Sequence, residues 1–206
     1  MAQNTSHAVM SQRTEPSDSP DDFPTPPWAT RALLRHVIGH QSLAEMSCLE
    51  PACGRGYMSR PLSETFRLVE AYDAYDYGQT AKRDFLEYPY DDNSFDWVIT
   101  NPPFRLASEF VLRSLPIARF GVAIFARTVF LESSGRYEAI FRNTPPTIFA
   151  QFVERVPLVK GRVDQKASTA TGYAWFVWIK NFNAAKTQLQ WIPPSRKILE
   201  LSQDYN

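Results

Sequence analysis

The stretch FDWVITNPPF, residues 95–104, sets an amide side chain and a phenyl ring on a stiff Pro-Pro step after an apolar run. Pro102 and Pro103 fix their own φ angles, so the groups beside them are held in place. Asn101 offers an amide oxygen as a hydrogen-bond acceptor, and Phe104 offers a ring face for stacking. A strand-ending turn over a buried Phe104 explains the tetrapeptide equally well, because Asn-Pro is a common start of a turn.

The segment EPACGRG, residues 50–56, lies where a short apolar run meets a predicted helix. Gly54 and Gly56 let the backbone approach a ligand closely, and the helix N-terminus offers free N–H groups. Taken alone, two glycines are better explained by a structural turn. Asp73, at the end of the next apolar run, favours a ligand site because a carboxylate there can accept both hydroxyls of a ribose. Asp76 is an alternative for that role, and either residue could instead cap a helix or turn.

Apolar runs that alternate with segments of helical periodicity predict a mainly parallel, doubly wound α/β sheet. The segments predicted as strands are 46–49, 68–73, 95–100, 120–126, 147–159 and 172–180. The last two predict an antiparallel hairpin at one edge of the sheet, and a short helix is expected after residue 186. Residues 1–21 are polar and lack periodicity, which predicts a disordered tail before a single domain over residues 22–206.

The segments EPACGRG, AYD, RDFL and TNPPF, in that order, resemble class I S-adenosylmethionine-dependent methyltransferases, specifically the small, phage-type enzymes that methylate N6 of adenine in DNA. FPTPPWATRALL, FLESSGRYEAIF and YAWFVWIK extend the resemblance over residues 23–180. The resemblance implies a Rossmann-like fold, with a mostly parallel seven-stranded sheet and a C-terminal antiparallel edge hairpin. It also implies S-adenosylmethionine as the cofactor and a planar nitrogen as the methyl acceptor.

By this resemblance, the Pro-Pro elbow would hold the methyl-accepting group. Asn101 and the carbonyl of Pro102 would accept both N–H groups of an exocyclic amine, whose lone pair is otherwise delocalised into the ring. Pro103 completes the rigid mount, and Phe104 would stack on the base. Such acceptors align the nitrogen and stabilise the positive charge that develops on it. A base inside a duplex would have to be flipped out to reach them.

The resemblance also implies a cofactor site at the other motifs. Glu50 would contact the methionine amino group and Asp73 the ribose, while Asp84 would accept a hydrogen bond from the adenine N6, with Phe85 beside the ring. The implied cofactor-binding residues are Thr25, Pro26, Glu50, Pro51, Ala52, Cys53, Gly54, Gly56, Asp73, Ala74, Asp84, Phe85 and Asn101.

The two halves of the chain differ in charge, although the whole chain has a formal net charge of zero. Residues 1–100 carry 8 Lys or Arg and 15 Asp or Glu, a net −7, while residues 101–206 carry 14 and 7, a net +7. The positive half would attract a polyanion. Its candidate nucleic-acid-binding residues are Arg105, Arg127, Arg136, Lys160, Arg162 and Lys166. Each of them taken singly is better explained by a solvated loop.

The sequence therefore predicts an enzyme that transfers a methyl group to N6 of adenine in DNA. RNA guanine N2 or adenine N6, a protein glutamine amide, and a non-catalytic partner subunit on the same scaffold are the alternatives. Sequence-specific enzymes of this group usually carry a sizeable target-recognition region, and no insertion here exceeds a loop. The recognised sequence is then short, or the specificity is supplied by a homo-oligomer or a partner, or it is nearly absent.

Other features argue against several protein classes. Cys48 and Cys53 do not make a disulfide framework and favour a reduced, cytoplasmic protein. His36 and His40 are one helical turn apart without a glutamate or an evident third ligand, so no metal site is expected. No apolar run reaches the roughly 18 residues of a membrane span, and the N-terminus lacks a signal-peptide pattern.

Overall fold

The computed structural model describes residues 21–39, 43–78, 81–180, 182 and 186–205. The predicted disordered tail, residues 1–21, lies outside this part of the chain except for Asp21. The strands are β1 (Ser47–Glu50), β2 (Leu68–Ala71), β3 (Phe95–Thr100), β4 (Ala118–Arg127), β5 (Ile148–Phe152), β6 (Tyr173–Ile179) and β7 (Gln188–Ile192). The helices are α1 (Pro27–Leu33), α2 (Ser59–Ser63), α3 (Ala107–Ile117), α4 (Ser134–Arg136) and α5 (Arg196–Leu199), with π-helical turns after α1 (Leu34–Ile38) and α4 (Tyr137–Phe141).

The seven strands form one sheet in the order β2-β1-β3-β4-β6-β5-β7. Neighbouring strands are parallel except at β6, which runs antiparallel to both β4 and β5. This arrangement confirms the predicted Rossmann-like, mostly parallel seven-stranded sheet with a late antiparallel pair. The antiparallel strand lies inside the sheet, because its apolar run is buried from Tyr173 to Trp178 and pairs on both edges.

The outer edge beside β5 is formed by β7, where the sequence predicted only a short helix. Helix α5 does follow, but the strand precedes it. In β7, Leu189 and Trp191 are 52% and 60% exposed, Ile192 is buried, and Gln190 is half-buried and donates to the carbonyl of His36. Because two of its three apolar side chains face away from the core, the period-two pattern does not mark a half-buried strand here.

Two apolar layers cover the two faces of the sheet. Alternation along β3 sends Trp97 and Ile99 to one layer and Val98 to the other. The first layer includes Trp28, Leu33, Leu62, Phe125 and Trp175, and the second includes Phe85, Phe110, Val111, Ile124 and Phe176. Helices α1 and α2 pack on the first face and α3 on the second, so the central strands are buried on both sides.

Helix α1 and the segment before it are fixed to the rest of the domain by Arg31. Its guanidinium donates to Glu64 at 2.6 and 2.8 Å and to Asp204 at 2.7 and 3.0 Å. On the sheet side, the indole of Trp175 donates to the carbonyl of Ala29 at 3.1 Å. These contacts hold residues 21–26, which form neither helix nor strand, at the carboxyl edge of the sheet.

A close approach between β4 and its neighbours predicts a strong effect of adding one methyl group. A Cβ on Gly121 would lie 2.4 Å from Trp97 Cζ3 and 2.9 Å from the carbonyl oxygen of Trp178. The indole is buried and the carbonyl belongs to the sheet, so neither can move freely. We expect Gly121→Ala to lower the free energy of unfolding by about 1–3 kcal/mol, as overpacking does.

Urea denaturation would measure this effect, with Gly135→Ala as the matched control. A Cβ on Gly135 would meet only Ser133 Oγ, at the ordinary distance of 3.7 Å. Equal midpoints for the two variants would contradict the expected overpacking.

Candidate cofactor and substrate site

A cleft opens at the carboxyl ends of β1, β2 and β3. In open parallel sheets, this edge is where ligands bind. The lining residues are Asp21, Asp22, Phe23, Pro24, Thr25, Glu50, Ala52, Cys53, Gly54, Tyr57, Met58, Asp73, Tyr75, Tyr77, Asn101 and Pro103.

The loop after β1 is fixed to the end of β2 by backbone hydrogen bonds. Tyr72 N–H donates to the carbonyl of Glu50, and Cys53 N–H donates to the carbonyl of Tyr72, both at 2.9 Å. Gly54 and Gly56 have φ angles of +51° and +78°, a left-handed conformation that favours glycine. The sharp turn that they allow brings the loop backbone to the wall of the cleft.

Glu50 is a buried acid on this loop, with only 1% of its surface exposed. The hydroxyl of Ser59 donates to its carboxylate. Burial raises the pKa of Glu50 to about 8; the hydrogen bond from Ser59 opposes this rise and the nearby charge of Asp73 adds to it. A positive charge close to a buried carboxyl group stabilises its ionised form. This setting therefore favours a cationic ligand.

Asp73 lies opposite the loop, and both of its carboxylate oxygens accept backbone hydrogen bonds. Oδ2 accepts from Gly54 N–H and Oδ1 accepts from Tyr75 N–H, each at 2.9 Å. Each oxygen keeps capacity for a further donor such as a hydroxyl. The alternative residue, Asp76, accepts from Gly78 N–H at 2.8 Å in its own exposed turn and does not line the cleft.

The Pro-Pro elbow leaves β3 directly beside the cleft. Asn101 Nδ2 donates to the carbonyl of Phe23 at 2.8 Å, which fixes the orientation of the amide. Asn101 Oδ1 is buried and has no hydrogen-bond partner within the described residues. Because a buried acceptor without a partner is costly, its presence at the edge of a cleft points to a donor on a bound molecule.

The ring of Phe104 is covered by side chains of the chain itself. Phe23 is stacked with it, at 5.8 Å between centroids and 28° between planes, and Tyr173 lies 6.5 Å away. The guanidinium carbon of Arg127 lies 4.4 Å from the ring centroid. The backbone N–H of Phe104 donates to Asp21 Oδ2 at 2.8 Å. The elbow is thus in contact with the lead-in segment, residues 21–26.

The structure brings many of the predicted cofactor and catalytic residues to this cleft. Those that line it are Thr25, Glu50, Ala52, Cys53, Gly54, Asp73, Asn101 and Pro103. Those that adjoin the lining residues in sequence are Pro26, Pro51, Gly56, Ala74, Pro102 and Phe104. Their roles toward a ligand stay predictions.

Two predicted cofactor residues are not brought to the cleft. Asp84 Oδ1 accepts from Leu86 N–H at 2.9 Å in its own exposed turn. Phe85 is buried in the layer under α3, where its ring centroid lies 4.8 Å from that of Phe110. In this structure, Asp84 caps a turn and Phe85 is a core residue.

The predicted nucleic-acid-binding residues have different surroundings. Arg136 donates to the carbonyls of Phe130, Glu132 and Val129 at 2.7, 3.2 and 3.3 Å, so its guanidinium braces a local loop.

Near the cleft, the turn around Lys160 is joined to the lead-in segment, because Gly161 N–H donates to the carbonyl of Asp22 at 2.8 Å. In the same loop, Arg162 pairs with Asp164 at 3.1 Å, and Lys166 is exposed. Arg105 is exposed beside the elbow. Arg127 Nε is buried without a hydrogen-bond partner in the described part of the chain.

Half of the cleft comes from residues that the sequence did not single out: Asp21, Asp22, Phe23, Pro24, Tyr57, Met58, Tyr75 and Tyr77. The acidic pair before FPTPP was the available signal for the first two. Burial raises the pKa of Asp22, while the charges of Arg55 and Lys160 lower it, and burial also raises the pKa of Asp73. With Glu50, these residues give the cleft a strongly acidic lining.

Among the described residues, no group of His, Cys, Asp or Glu side chains is arranged to hold a metal ion. The helices of this part of the chain are all too short or too polar to cross a bilayer.

Comparison with protein-family models and with curated sequences gives no match. Solved structures do match. A candidate class I S-adenosylmethionine-dependent methyltransferase from Listeria monocytogenes has a TM-score of 0.55 at 11% identity, covering 80% of this chain and 62% of that one. A predicted O-methyltransferase from Agrobacterium tumefaciens has a TM-score of 0.54 at 13% identity, with 82% and 85% covered. The fold is that of class I methyltransferases.

A third similar structure is the modification subunit of a candidate type I restriction enzyme from Vibrio vulnificus. Its TM-score is 0.53 at 14% identity, and the match covers 77% of this chain and 44% of that subunit. The chain thus spans less than two thirds of the Listeria protein and less than half of the Vibrio subunit. These neighbours differ in their described reactions, so the likeness identifies the fold and not the substrate.

The raised pKa of Glu50 predicts how stability depends on pH. The folded pKa, about 8, lies above the ordinary value of 4.5. The stability that protonation of Glu50 contributes is therefore fully present below pH 4.5 and is lost as the pH rises through 8. Glu50→Gln removes this titration and keeps an acceptor for Ser59. We expect the free energy of unfolding of the variant, relative to that of the wild type, to rise by roughly a few kcal/mol from pH 5 to pH 9.

Urea denaturation of both proteins at pH 5 and pH 9 would measure this difference. Glu132→Gln, a change in an exposed side chain, gives the baseline. A stability difference between Glu50→Gln and the wild type that does not change with pH would contradict the raised pKa.

Proposed function

We propose that the chain is an S-adenosylmethionine-dependent methyltransferase that methylates the exocyclic N6 amino group of adenine in DNA, with the base flipped out and stacked on Phe104. The observation that carries this proposal is the unpartnered Asn101 Oδ1, mounted on the Pro-Pro elbow at the edge of an acidic cleft. An acceptor in that position suits a nitrogen that must present its N–H groups and its lone pair together.

The residues of the cleft fit the proposed cofactor. Glu50 and Asp22 are carboxylates whose burial favours a cation, which suits the ammonium and sulfonium groups of S-adenosylmethionine. Asp73 has acceptor capacity for ribose hydroxyls, and the Gly54 turn leaves room for a close approach. When bound, this cofactor supplies an electrophilic methyl group.

The elbow would then act by positioning rather than by removing a proton first. Asn101 Oδ1 would accept one N–H of the amine, and the carbonyl of Pro102 would accept the other. Because Phe23 already holds the amide through Nδ2, Asn101 does not have to reorient when the amine arrives. Oriented acceptors stabilise the positive charge that develops on the nitrogen as the new bond forms.

A nucleic-acid substrate is supported by the cations around the elbow. Arg105 is exposed directly after it, Arg127 lies over Phe104, and residues 101–206 carry a net charge of +7. Carboxylates line the cleft and Arg105 is exposed directly after the elbow, so a cationic cofactor and a polyanion would each meet a complementary charge.

Incubation with methyl-labelled S-adenosylmethionine and mixed DNA, RNA and protein tests the substrate. We expect N6-methyladenine in DNA, identified by mass spectrometry of nucleosides. Label in RNA alone, or in a protein after nuclease treatment, would replace the DNA assignment. Failure to bind S-adenosylmethionine at millimolar concentration in calorimetry would overturn the enzyme assignment in favour of a non-catalytic subunit.

Asn101→Ala should reduce methyl transfer by at least about 100-fold, because it removes an oriented acceptor of the kind whose loss costs that much elsewhere. Cofactor binding should change much less than turnover, since other residues form most of the cleft. The matched control is Asn143→Ala, because Asn143 is exposed and distant in sequence from the elbow. A turnover rate for Asn101→Ala equal to that of the control would remove the basis of the proposal.

Arg105→Ala should weaken DNA binding at low salt and lower the slope of log affinity against log salt concentration by about 1, as loss of one phosphate contact does. Arg119→Ala is the control, because its guanidinium pairs with Asp96 at 2.8 Å at the opposite edge of the sheet. Fluorescence anisotropy at several salt concentrations would measure both slopes. Identical slopes for the two variants would exclude Arg105 from the contact surface.

A further inference from the structure

We propose that β7 is a self-association surface, through which two copies of this chain pair edge to edge and join their sheets across a two-fold axis at Gln190. The partner is a second copy of the same strand. The inference does not depend on the proposed function, because β7 is the edge of the sheet remote from the cleft strands β1, β2 and β3.

The outer edge of β7 lacks the features that usually keep an edge strand unpaired. In the described part of the chain, β5 is the one strand that pairs with it. Residues 188–192 contain no charged residue and no proline, and their pairing with β5 runs without a bulge. Leu189 and Trp191 are exposed on the same face. An apolar edge of this kind readily pairs with another strand, which charge, proline or a bulge would hinder.

The hydrogen bonds to β5 show which backbone groups of β7 are available. Gln188 N–H donates to the carbonyl of Thr147 at 2.9 Å, and Val153 N–H donates to the carbonyl of Ile192 at 3.2 Å. In a parallel ladder, alternate residues bond to a given neighbour, so the even-numbered residues of β7 face β5. The odd-numbered residues therefore direct their N–H and carbonyl groups away from the sheet.

A two-fold axis at Gln190 uses these outward groups fully. Antiparallel pairing places Leu189 opposite Trp191 of the second copy, and each such pair exchanges both backbone hydrogen bonds. An axis at Trp191 would place Leu189 opposite Pro193, which has no N–H to donate. An axis at Leu189 would pair Trp191 with Thr187, which lies outside the strand. The strand is thus complementary to itself in one register.

The side chains favour the same register. Leu189 and Trp191 of both copies lie on one face of the joined sheet and form an apolar cluster across the axis, as cross-strand pairs do. Lys186, the charged residue nearest to the strand in sequence, would lie opposite Pro194. No like charges therefore meet near the axis to oppose a second copy.

The size of the contact sets the expected affinity. A pair of five-residue strands buries less than the roughly 1,200–2,000 Å² of standard interfaces. We therefore expect a reversible dimer with a dissociation constant of about 10 μM.

Association through β7 leaves both clefts open. The two-fold axis reverses the direction of the second copy's strands, so the two carboxyl edges lie on opposite sides of the joined sheet. Within each copy, β5, β6 and β4 separate β7 from the strands of the cleft. Ligand binding at one cleft is therefore not obstructed by the other copy.

Sedimentation velocity between about 1 μM and 1 mM tests the association. We expect a monomer at the low end and a dimer at the high end. Leu189→Lys and Trp191→Lys should each raise the dissociation constant at least about 10-fold, because they bring like charges close together at the axis. Leu68→Lys is the matched control, since Leu68 is exposed on the opposite edge strand, β2.

The melting temperature of each lysine variant shows whether it folds. We expect all three to stay within a few degrees of the wild type, because the replaced side chains are exposed.

Hydrogen exchange of the wild type, followed by NMR, locates the contact without any variant. The amides of Leu189 and Trp191 should exchange at least about 10-fold more slowly at high than at low protein concentration, since only the dimer bonds them. The amide of Gln188 donates to Thr147 within the chain and should be protected at both concentrations.

Three results would overturn the inference. One is a monomer up to about 1 mM. Another is a dimer that Leu189→Lys does not weaken, because association then uses a different surface. The third is slow exchange of the Leu189 and Trp191 amides in the monomer, which would show that the chain itself covers this edge. The proposed function is tested separately, by methyl transfer, and none of these results bears on it.

Discussion

All six residues of β3 are buried, with β1 hydrogen-bonded on one edge and β4 on the other. A strand confined in this way cannot slip, because a shift of one residue would turn its apolar side chains to the wrong layer. The chain therefore leaves the sheet at a fixed point, and Asn101 is the next residue. The two prolines extend this fixed geometry outward, so the position of the elbow follows from packing that lies below the site.

The polar side chains named along the site present hydrogen-bond acceptors. Glu50, Asp73 and Asp22 present carboxylates to the cleft, and the elbow adds the unpartnered oxygen of Asn101. Hydrogen-bond donors and positive charge on a ligand would be satisfied at every one of these points. Among the positive side chains, Arg55 lies 3.8 Å from Asp22 at the cleft, whereas Arg105 is exposed to solvent beside the elbow. A small cation against the carboxylates and a large anion against Arg105 could thus occupy neighbouring places.

Much of the fold and of the cleft could be predicted from the sequence, because the signals were local. Buried apolar runs marked the central strands, and residues at their ends, Glu50, Asp73 and Asn101, necessarily met at one edge. The edge strand β7 was not predictable, since Leu189 and Trp191 are exposed while Gln190 contacts the carbonyl of His36, which is distant in sequence.

Some side chains have surroundings that the sequence did not predict. Asp84 accepts a hydrogen bond within its own turn and Phe85 is buried in the core, while their roles toward a cofactor stay predictions. Phe23 and Asp21 gave no local signal, because their contacts with the elbow join residues 78 and 83 positions apart. Spacing along the chain can be read from the sequence, whereas these contacts depend on how distant segments pack together in the fold.

The lead-in segment contributes to the cleft and also contacts the elbow. Asp22 and Thr25 line the cleft, while Phe23 contacts both Asn101 and Phe104. Any ligand that shifts this segment on one side must change its fit on the other, and thermodynamic linkage makes the effect mutual. A cofactor that changes the affinity for a base by some factor would have its own affinity changed by the same factor. A short stretch without regular secondary structure can in this way make two binding equilibria into one coupled system.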